Sequence, residues 1–494
     1  MIRLSDACLS ALPIAVHRPL YDRASLKIGI VHLGIGAFHR AHQAVYTDDV
    51  LASGDLRWGI LGVSLRSPDT RDALMPQNGL YTIALRSAAG TQHRVIGAIK
   101  TVLVAPENQE AVIAAMTDEH VKIVSLTVTE KGYCIDPATG MLDERHPDIC
   151  HDIAHPDQPK SALGYILAAL DRRRARGLKP FAVMSCDNLP SNGAKLHASL
   201  ARLAALRNRD FARFIEANIV CPSTMVDRIV PQTVDEDRAM ARQALQCDDA
   251  WPVATEPFTQ WVIEDNFPEG RPAWERFGTE MVKDVALYEA MKLKLLNASH
   301  TSLACLGALA GYRTVADAMN DTAIGDFIAR LMVEDVTPVL IIPPGAQVTT
   351  YIASLLERFR NPALKHRLEQ IASDSSQKIP QRLLGTARDR LARGLPLGRL
   401  AYSLAGFALY LQGRDESGQP LTFEDPMADI LRNSLVAAGD NAELIVRNLV
   451  SHISIFGTLE QNRHFVDPIV TAVTQIQNKG VRASLEASNL LKLY

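Results

Sequence analysis

In the stretch Tyr288–His300 (YEAMKLKLLNASH) a glutamate, two lysines, an asparagine and a histidine recur at helical spacing. Taking about 100° per residue and Lys292 as zero, Glu289 falls at about 60°, Leu296 at about 40°, His300 at about 80° and Asn297 at about 140°. One face therefore gathers Lys, Glu, His and Asn, while Lys294 lies on the other side, where a solvated lysine is expected. Met291, Leu293, Leu295 and Leu296 give Lys292 an apolar neighbourhood. Burial disfavours an ammonium, so Lys292 is a candidate general base. Asn297 and His300 can together hydrogen-bond a substrate hydroxyl or carbonyl, and Glu289 lies one turn back. That chemistry is removal of a proton from an alcohol whose oxygen is held by neutral donors. A charged helix with a structural Asn and His fits the same pattern, and the pattern alone leaves both open.

A second constellation, Gly34-Ile35-Gly36-Ala37-Phe38-His39-Arg40, follows the apolar run KIGIVHLG and precedes the helix-compatible AHQAVYTDDVLAS. A turn without side chains lets backbone N–H groups approach a pyrophosphate, and the helix start adds its positive end. His39 stands where a complete G-x-G-x-x-G has its third glycine. A ligand-free strand-to-helix turn is the alternative. An acid for the adenosine ribose should follow the second strand, and Asp69 stands there, farther from Gly34 than the usual spacing of about 20 residues. Arg66 beside it could receive a 2′-phosphate, which leaves NADP open beside NAD. His39 and His42 have the spacing of a metal pair but no third ligand, so no metal site is expected.

Three further segments carry polar groups. In Ser185-Cys186-Asp187-Asn188 a buried run ends in a polar trio, and Asn188 could donate to a developing oxyanion. In MVDRIVP, Asp227 and Arg228 stand together between apolar residues and suit either catalysis or an internal salt bridge. Ser375–Arg382 (SSQKIPQR) sets Lys378 and Arg382 around a proline, as a surface loop or as an anion clamp.

The elements that must position these groups follow from patterning. Apolar runs at 27–34, 58–65, 121–129 and 181–188 predict strands of a parallel sheet covered on both faces. From about residue 284 helical periodicity replaces them. The expected architecture is α/β, with a doubly wound Rossmann-type domain over 1–283 and a mainly helical substrate domain over 284–494. The chain has 494 residues, 47% of them hydrophobic, and 52 Lys plus Arg against 55 Asp plus Glu give a net charge of −3. This size favours two domains, and this charge gives no overall reason to bind nucleic acid or anionic membrane. The seven cysteines are scattered without a C-x-x-C pair, which predicts neither a disulfide framework nor a cysteine zinc site. MIRLSDACLSALPIAVHRP, with Asp6 and Pro13 inside it, makes a poor signal peptide, so a cytoplasmic location is expected.

IVHLGIGAFHRAHQA, MVDRIVP, SCDNLPSNG, EPFTQWVIEDNF, GRPAWE and MKLKLLNASH resemble the mannitol dehydrogenase family, the polyol-specific long-chain dehydrogenases, nearly end to end. Cys221 replaces the usual Phe beside one of these motifs, and Ala298 a commoner Gly in another. The resemblance implies a zinc-independent NAD enzyme, a monomer or weak homo-oligomer, acting on a small polyol or sugar acid. It implies Lys292 as the base, Asn188 and Asn297 as the oxyanion-stabilising pair, His300 as the residue that orients substrate, and Glu289 on the proton path. Cofactor contacts fall to Gly34, Ile35, Gly36, Phe38, Arg40, Asp69, Glu130 and Asp227. Substrate contacts fall to Asn188, Lys292, His300, Gln370, Lys378 and Arg382. The substrate resemblance divides: GVSLRS and EDVTPVL look like mannitol 2-dehydrogenases, whereas TEKGYCIDPATG, NPALKH and SQKIPQR look like fructuronate reductases, which interconvert D-mannonate and D-fructuronate. Gln370 stands where mannitol enzymes tend to have Arg, and the expectation leans to the hexuronate. A noncatalytic dinucleotide sensor and a cofactor-recycling epimerase or lyase are the other readings.

Overall fold

The computed structural model describes residues 2–136 and 139–489, in one compact unit ending at Ala286 and a second beginning at Leu287. Pro137 and Ala138 of TEKGYCIDPATG lie outside the described residues.

In the first unit five strands pair as one parallel sheet: β1 (Ile28–Leu33), β2 (Gly59–Ser64), β3 (Ile99–Val104), β4 (Ile123–Leu126) and β5 (Ala182–Ser185). Their order in space is β3-β2-β1-β4-β5. This is the order of a Rossmann sheet, and its direction reverses between β1 and β4, where such folds hold ligands beyond the carboxyl ends. Alternate side chains feed two cores. Val31, Leu33, Val63, Val124 and Val183 enter one, and Ile30, Ile60, Ile123 and Met184 the other. Covering both faces is what makes the runs continuously apolar. β3, an edge strand of sequence IKTVLV, keeps Lys100, Thr101 and Leu103 half-exposed and so shows no such run.

The run at 121–129 was expected as strand throughout, but β4 stops at Leu126. Beyond it the Thr127 hydroxyl donates to the Gly34 carbonyl, Asp187 accepts the N–H groups of Val128 and Thr129, and Thr129 has φ 63°. Side chains thus take the backbone groups that a longer strand would use.

The second unit is helical. The helices Ala298–Leu309 and Leu400–Tyr410 are buried on every side, and the hydroxyls of Ser302 and Ser403 satisfy each other between them at 2.8 Å. They meet where Gly406 has no side chain, since a Cβ there would sit 2.7 Å from Leu306 Cδ2. Three segments among the described residues wind as π-helix: Leu293–Asn297, Leu331–Val336 and Pro380–Leu384. The first packs against each of the other two. The second is stapled by buried arginines: Arg390 Nη1 donates to the Asp335 and Glu334 carbonyls at 2.7 and 3.3 Å, and Arg399 pairs with the Asp335 carboxylate at 3.1 Å. In the third, Pro380 lacks an N–H, and the wider turn absorbs the break that a proline makes in a helix.

Candidate functional site

The glycine turn lies where β1 ends. Gly34 has φ 90°, and a Cβ on it would sit 2.1 Å from the Thr127 carbonyl oxygen, so the fold itself requires glycine here. Gly36 differs: it is exposed, its φ of −83° suits any residue, and its Cβ would meet nothing closer than 3.9 Å. Packing does not explain Gly36. Open space over its backbone, at the carboxyl end of β1 and the head of the helix Ala37–Ala41, fits a diphosphate that must come close to the main chain.

Around the turn, Ile35 is buried, filling the space over Gly62, and Phe38 stacks on His42 with ring centres 5.0 Å apart. Arg40 is 1% exposed; its Nη1 donates to the Trp251 carbonyl at 2.6 Å, and its guanidinium lies over the Tyr81 and Trp251 rings. That side chain is committed to holding the fold. His39, in the place of the third glycine, is fully buried and stacks on His32 at 3.5 Å. His32 bonds Ser125 through Nδ1 at 2.7 Å and Thr127 through Nε2 at 2.8 Å. Burial holds the pKa of both histidines far below the ordinary range, so both are neutral.

Asp69 is exposed, opens the helix Asp69–Leu74 and accepts from Ser67 Oγ at 2.9 Å. Glu130 is exposed on the turn Glu130–Tyr133. Asn188 is exposed beyond the end of β5. Next to it Asp187, named in the polar group that ends this run but given no role there, accepts from Val128 N, Thr129 N and Tyr133 Oη at 2.9, 3.0 and 2.7 Å. It ties the exit of β5 to the exit of β4, and burial raises its pKa. Asp227 is buried at the end of the strand Thr224–Asp227. Arg228 donates to the Ala41 and Glu256 carbonyls, a clamp on main chain.

In the second unit Lys292 is 8% exposed and closes the helix that begins at Ala286, at the point where π winding starts. Asn297, at the other end of the π turn, and His300 are each 8% exposed. The uniform angle of the sequence reading therefore needs correction. Residues of an i→i+5 turn advance by less than an α-helical step, which brings Asn297 back from the far flank toward the face of Lys292. Lys294 is not the solvated lysine expected: it pairs with Asp389 at 2.5 Å and is 18% exposed.

Thr301 Oγ1 donates to the Asn297 carbonyl at 3.1 Å and accepts from Arg382 Nη1 at 3.1 Å. His300 packs on Phe359 with ring centres 4.4 Å apart and meets His366 edge-on at 5.4 Å. Its Nε2 is buried without a protein hydrogen-bond partner. Burial, followed by the charges of His366, Arg358, Arg382 and Lys292, pushes its pKa well down, so it is a neutral group with a free polar atom. Phe359 and Arg358 had no signal in sequence, and His366, though it closes the NPALKH segment, had no role assigned to it, because they come from a helix and a loop far along the chain.

The SSQKIPQR segment is helix followed by π turn, which corrects the surface-loop reading. Ser375 and Ser376 are buried, and Ser376 is anchored on Asp425. Lys378 donates to the Ile371 and Ser373 carbonyls, and Gln370 is exposed on the helix Leu368–Ala372. No cluster of three or more His, Cys, Asp or Glu suited to a metal occurs among the described residues, and no helix there is long and apolar enough to cross a membrane. All seven cysteines are free thiols.

Comparison with known proteins agrees across both units. Residues 28–276 match the family model described as the mannitol dehydrogenase Rossmann domain, and residues 284–477 the mannitol dehydrogenase C-terminal domain. D-mannonate oxidoreductase of Escherichia coli (strain K12) is 44% identical over 485 residues, 97% of this chain and 99% of that protein. The structure of Pseudomonas fluorescens mannitol 2-dehydrogenase in ternary complex with NAD and D-mannitol is 41% identical, with a TM-score of 0.85 over 98% of this chain and 99% of that one. A substrate-free D-sorbitol dehydrogenase is 34% identical, with a TM-score of 0.92 over 98% of this chain and all (100%) of that one.

Proposed function

Because the chain belongs to the mannitol dehydrogenase family, we propose that it is an NAD-dependent, metal-independent oxidoreductase that interconverts D-mannonate and D-fructuronate. The observation that carries this reading is Lys292 buried at the start of a π turn that also bears Asn297, with His300 following on the same element. The dinucleotide would lie over Gly34, Ile35 and Gly36, with Phe38, Asp69, Glu130 and Asp227 as further contacts, and it supplies the hydride acceptor or donor. Lys292 takes the proton of the carbinol hydroxyl in oxidation and returns it in reduction. Neutral His300 orients that hydroxyl through its unpartnered Nε2. The Asn297 amide holds the developing alkoxide, and Asn188 is proposed as a second amide donor on the sequence resemblance. Glu289, one turn before Lys292, would pass the proton on toward solvent. With a lysine to take the proton and amides to hold the oxygen, the scheme calls for no Lewis acid.

A carboxylate-bearing substrate is favoured by the two guanidinium groups whose charges act on His300, Arg358 and Arg382. Lys378 and Gln370 complete the proposed substrate contacts. The second reading, mannitol 2-dehydrogenase, is supported by the Pseudomonas fluorescens structure, which binds D-mannitol. Oxidation of NADH followed with D-fructuronate and D-fructose at matched concentrations separates the two. The expected result is at least about a hundredfold higher kcat/KM for fructuronate, about 2.7 kcal/mol of transition-state discrimination. Preference for fructose would overturn the hexuronate assignment. The free cysteines suit a reducing compartment, and we place the enzyme in the cytoplasm as a monomer or weak homo-oligomer.

Thr301 offers a finer test. Its hydroxyl links the Arg382 guanidinium to the main chain of Asn297, so Thr301→Val should release Asn297 while keeping the side-chain volume. We expect kcat to fall about fivefold to tenfold, the worth of one hydrogen bond, with Thr301→Ser restoring it. Equal kcat for the Val and Ser variants would show that the link does no positioning.

A further inference from the structure

Beneath the glycine turn lies a chain of buried polar groups whose proton positions are fixed by counting. The Gly34 carbonyl can only accept, so the Thr127 hydroxyl, 2.7 Å away, donates to it. Having used its one proton, Thr127 accepts from His32 Nε2 at 2.8 Å, which places the imidazole proton on Nε2. Burial holds His32 down at about 3, so it carries one proton, and Nδ1 is an acceptor. Ser125 Oγ, 2.7 Å from Nδ1, is then the donor there. Ser125 must in turn accept from the Gln43 amide, 2.9 Å from its oxygen.

That last step needs the Gln43 NH₂ toward Ser125. With the amide oxygen there instead, Gln43 Nε2 and both His39 ring nitrogens are buried without partners. A half-turn of the amide exchanges its oxygen and nitrogen. It gives Ser125 its donor and gives the buried Gln43 NH₂ an acceptor. The sheet register sets the chain up, because His32 of β1 stands opposite Ser125 of β4.

We propose that Gln43, Ser125, His32 and Thr127 form a one-way hydrogen-bond relay that holds the Gly34 carbonyl and so positions the turn that receives the dinucleotide. His39, stacked on His32 at 3.5 Å, holds that ring in the relay by packing, which gives the histidine in place of a third glycine a task of its own. These are positioning residues: none is assigned a contact with the reacting atoms. The inference rests on the reading of the turn as the nucleotide site.

Two measurements test it. Long-range ¹H–¹⁵N correlation spectra of the full-length protein at neutral pH should show His32 as the neutral Nε2–H tautomer. An Nδ1–H tautomer or an imidazolium would overturn the relay, with no variant needed. Titration with NADH, followed by its fluorescence, should then show about tenfold weaker binding for Thr127→Val and unchanged binding for Thr127→Ser, at equal melting temperatures. Wild-type affinity in the Val variant would overturn the positioning role. If the Val variant does not fold, Ser125→Ala, which breaks the relay one link earlier, is read by the same titration and against the same standard. Failure of the proposed function would look different: tight NADH binding and the expected tautomer, with no turnover of either sugar.

Discussion

Replacing Lys292 with methionine is expected to lower turnover about a thousandfold while leaving the dissociation constant for NADH unchanged. A positioned general base contributes about 10²–10⁴-fold, so the middle of that range corresponds to about 4 kcal/mol of lost transition-state stabilisation. Methionine keeps most of the apolar stem of this 8%-exposed side chain, so loss of the amine is not confused with a cavity. The comparison variant Lys292→Ala opens space at the same place, and added small primary amines should recover part of its rate. Lys294→Met is the control, since Lys294 is occupied with Asp389. Near-normal turnover in Lys292→Met would remove this lysine as the base, and the mechanism with it. An equal loss in both lysine variants would point to the helix rather than to the amine.

Much of this arrangement was legible in sequence, for reasons that can be named. β1, β2, β4 and β5 are covered on both faces, and such strands must be written in unbroken apolar residues. β3 leaves Lys100, Thr101 and Leu103 half-exposed, and in the antiparallel hairpin of Tyr81–Ser87 with Gly90–Ile96 the second strand is polar from Thr91 to Arg94, so neither stood out. Lys292, Asn297 and His300 were visible because all three belong to one continuous helical run. What sequence could not give was the winding. No residue type marks a π turn, apart from a proline such as Pro380, and a uniform step placed Asn297 too far from Lys292.

Contacts that depend on topology were invisible for a different reason. His32 meets Ser125 only because β1 lies beside β4 in a particular parallel register, and His300 meets Phe359 and His366 only after the second unit has packed. The partners of charged residues depend on topology in the same way. Arg40, Arg228 and Lys378 have the residue types of ligand clamps, and each also donates to main chain, at the carbonyls of Trp251, Ala41, Glu256, Ile371 and Ser373. A buried guanidinium satisfied by carbonyls supports a site by fixing its walls, which is a role that composition and spacing cannot separate from binding.

The two glycines of the turn should part company on substitution. Gly34→Ala is expected to destabilise the protein by about 2 kcal/mol or more, because φ 90° is strained for any side chain and the Thr127 carbonyl stands 2.1 Å from the new Cβ. Gly36→Val should leave the melting temperature where it is: the backbone there is extended, with φ −83° and ψ −173°, and beyond the adjoining residues no protein atom lies closer than 3.9 Å to the added Cβ. Its side chain nevertheless enters the space where a diphosphate must reach the main chain. Loss of charge-assisted hydrogen bonds to backbone N–H groups, at about 1.5–3 kcal/mol each, should weaken NADH binding by about a hundredfold. The informative outcome is therefore a folded protein that no longer holds the nucleotide. Normal NADH affinity in Gly36→Val would move the dinucleotide away from this turn, whereas a parallel loss of stability in both variants would mean that Gly36, like Gly34, is there for the fold.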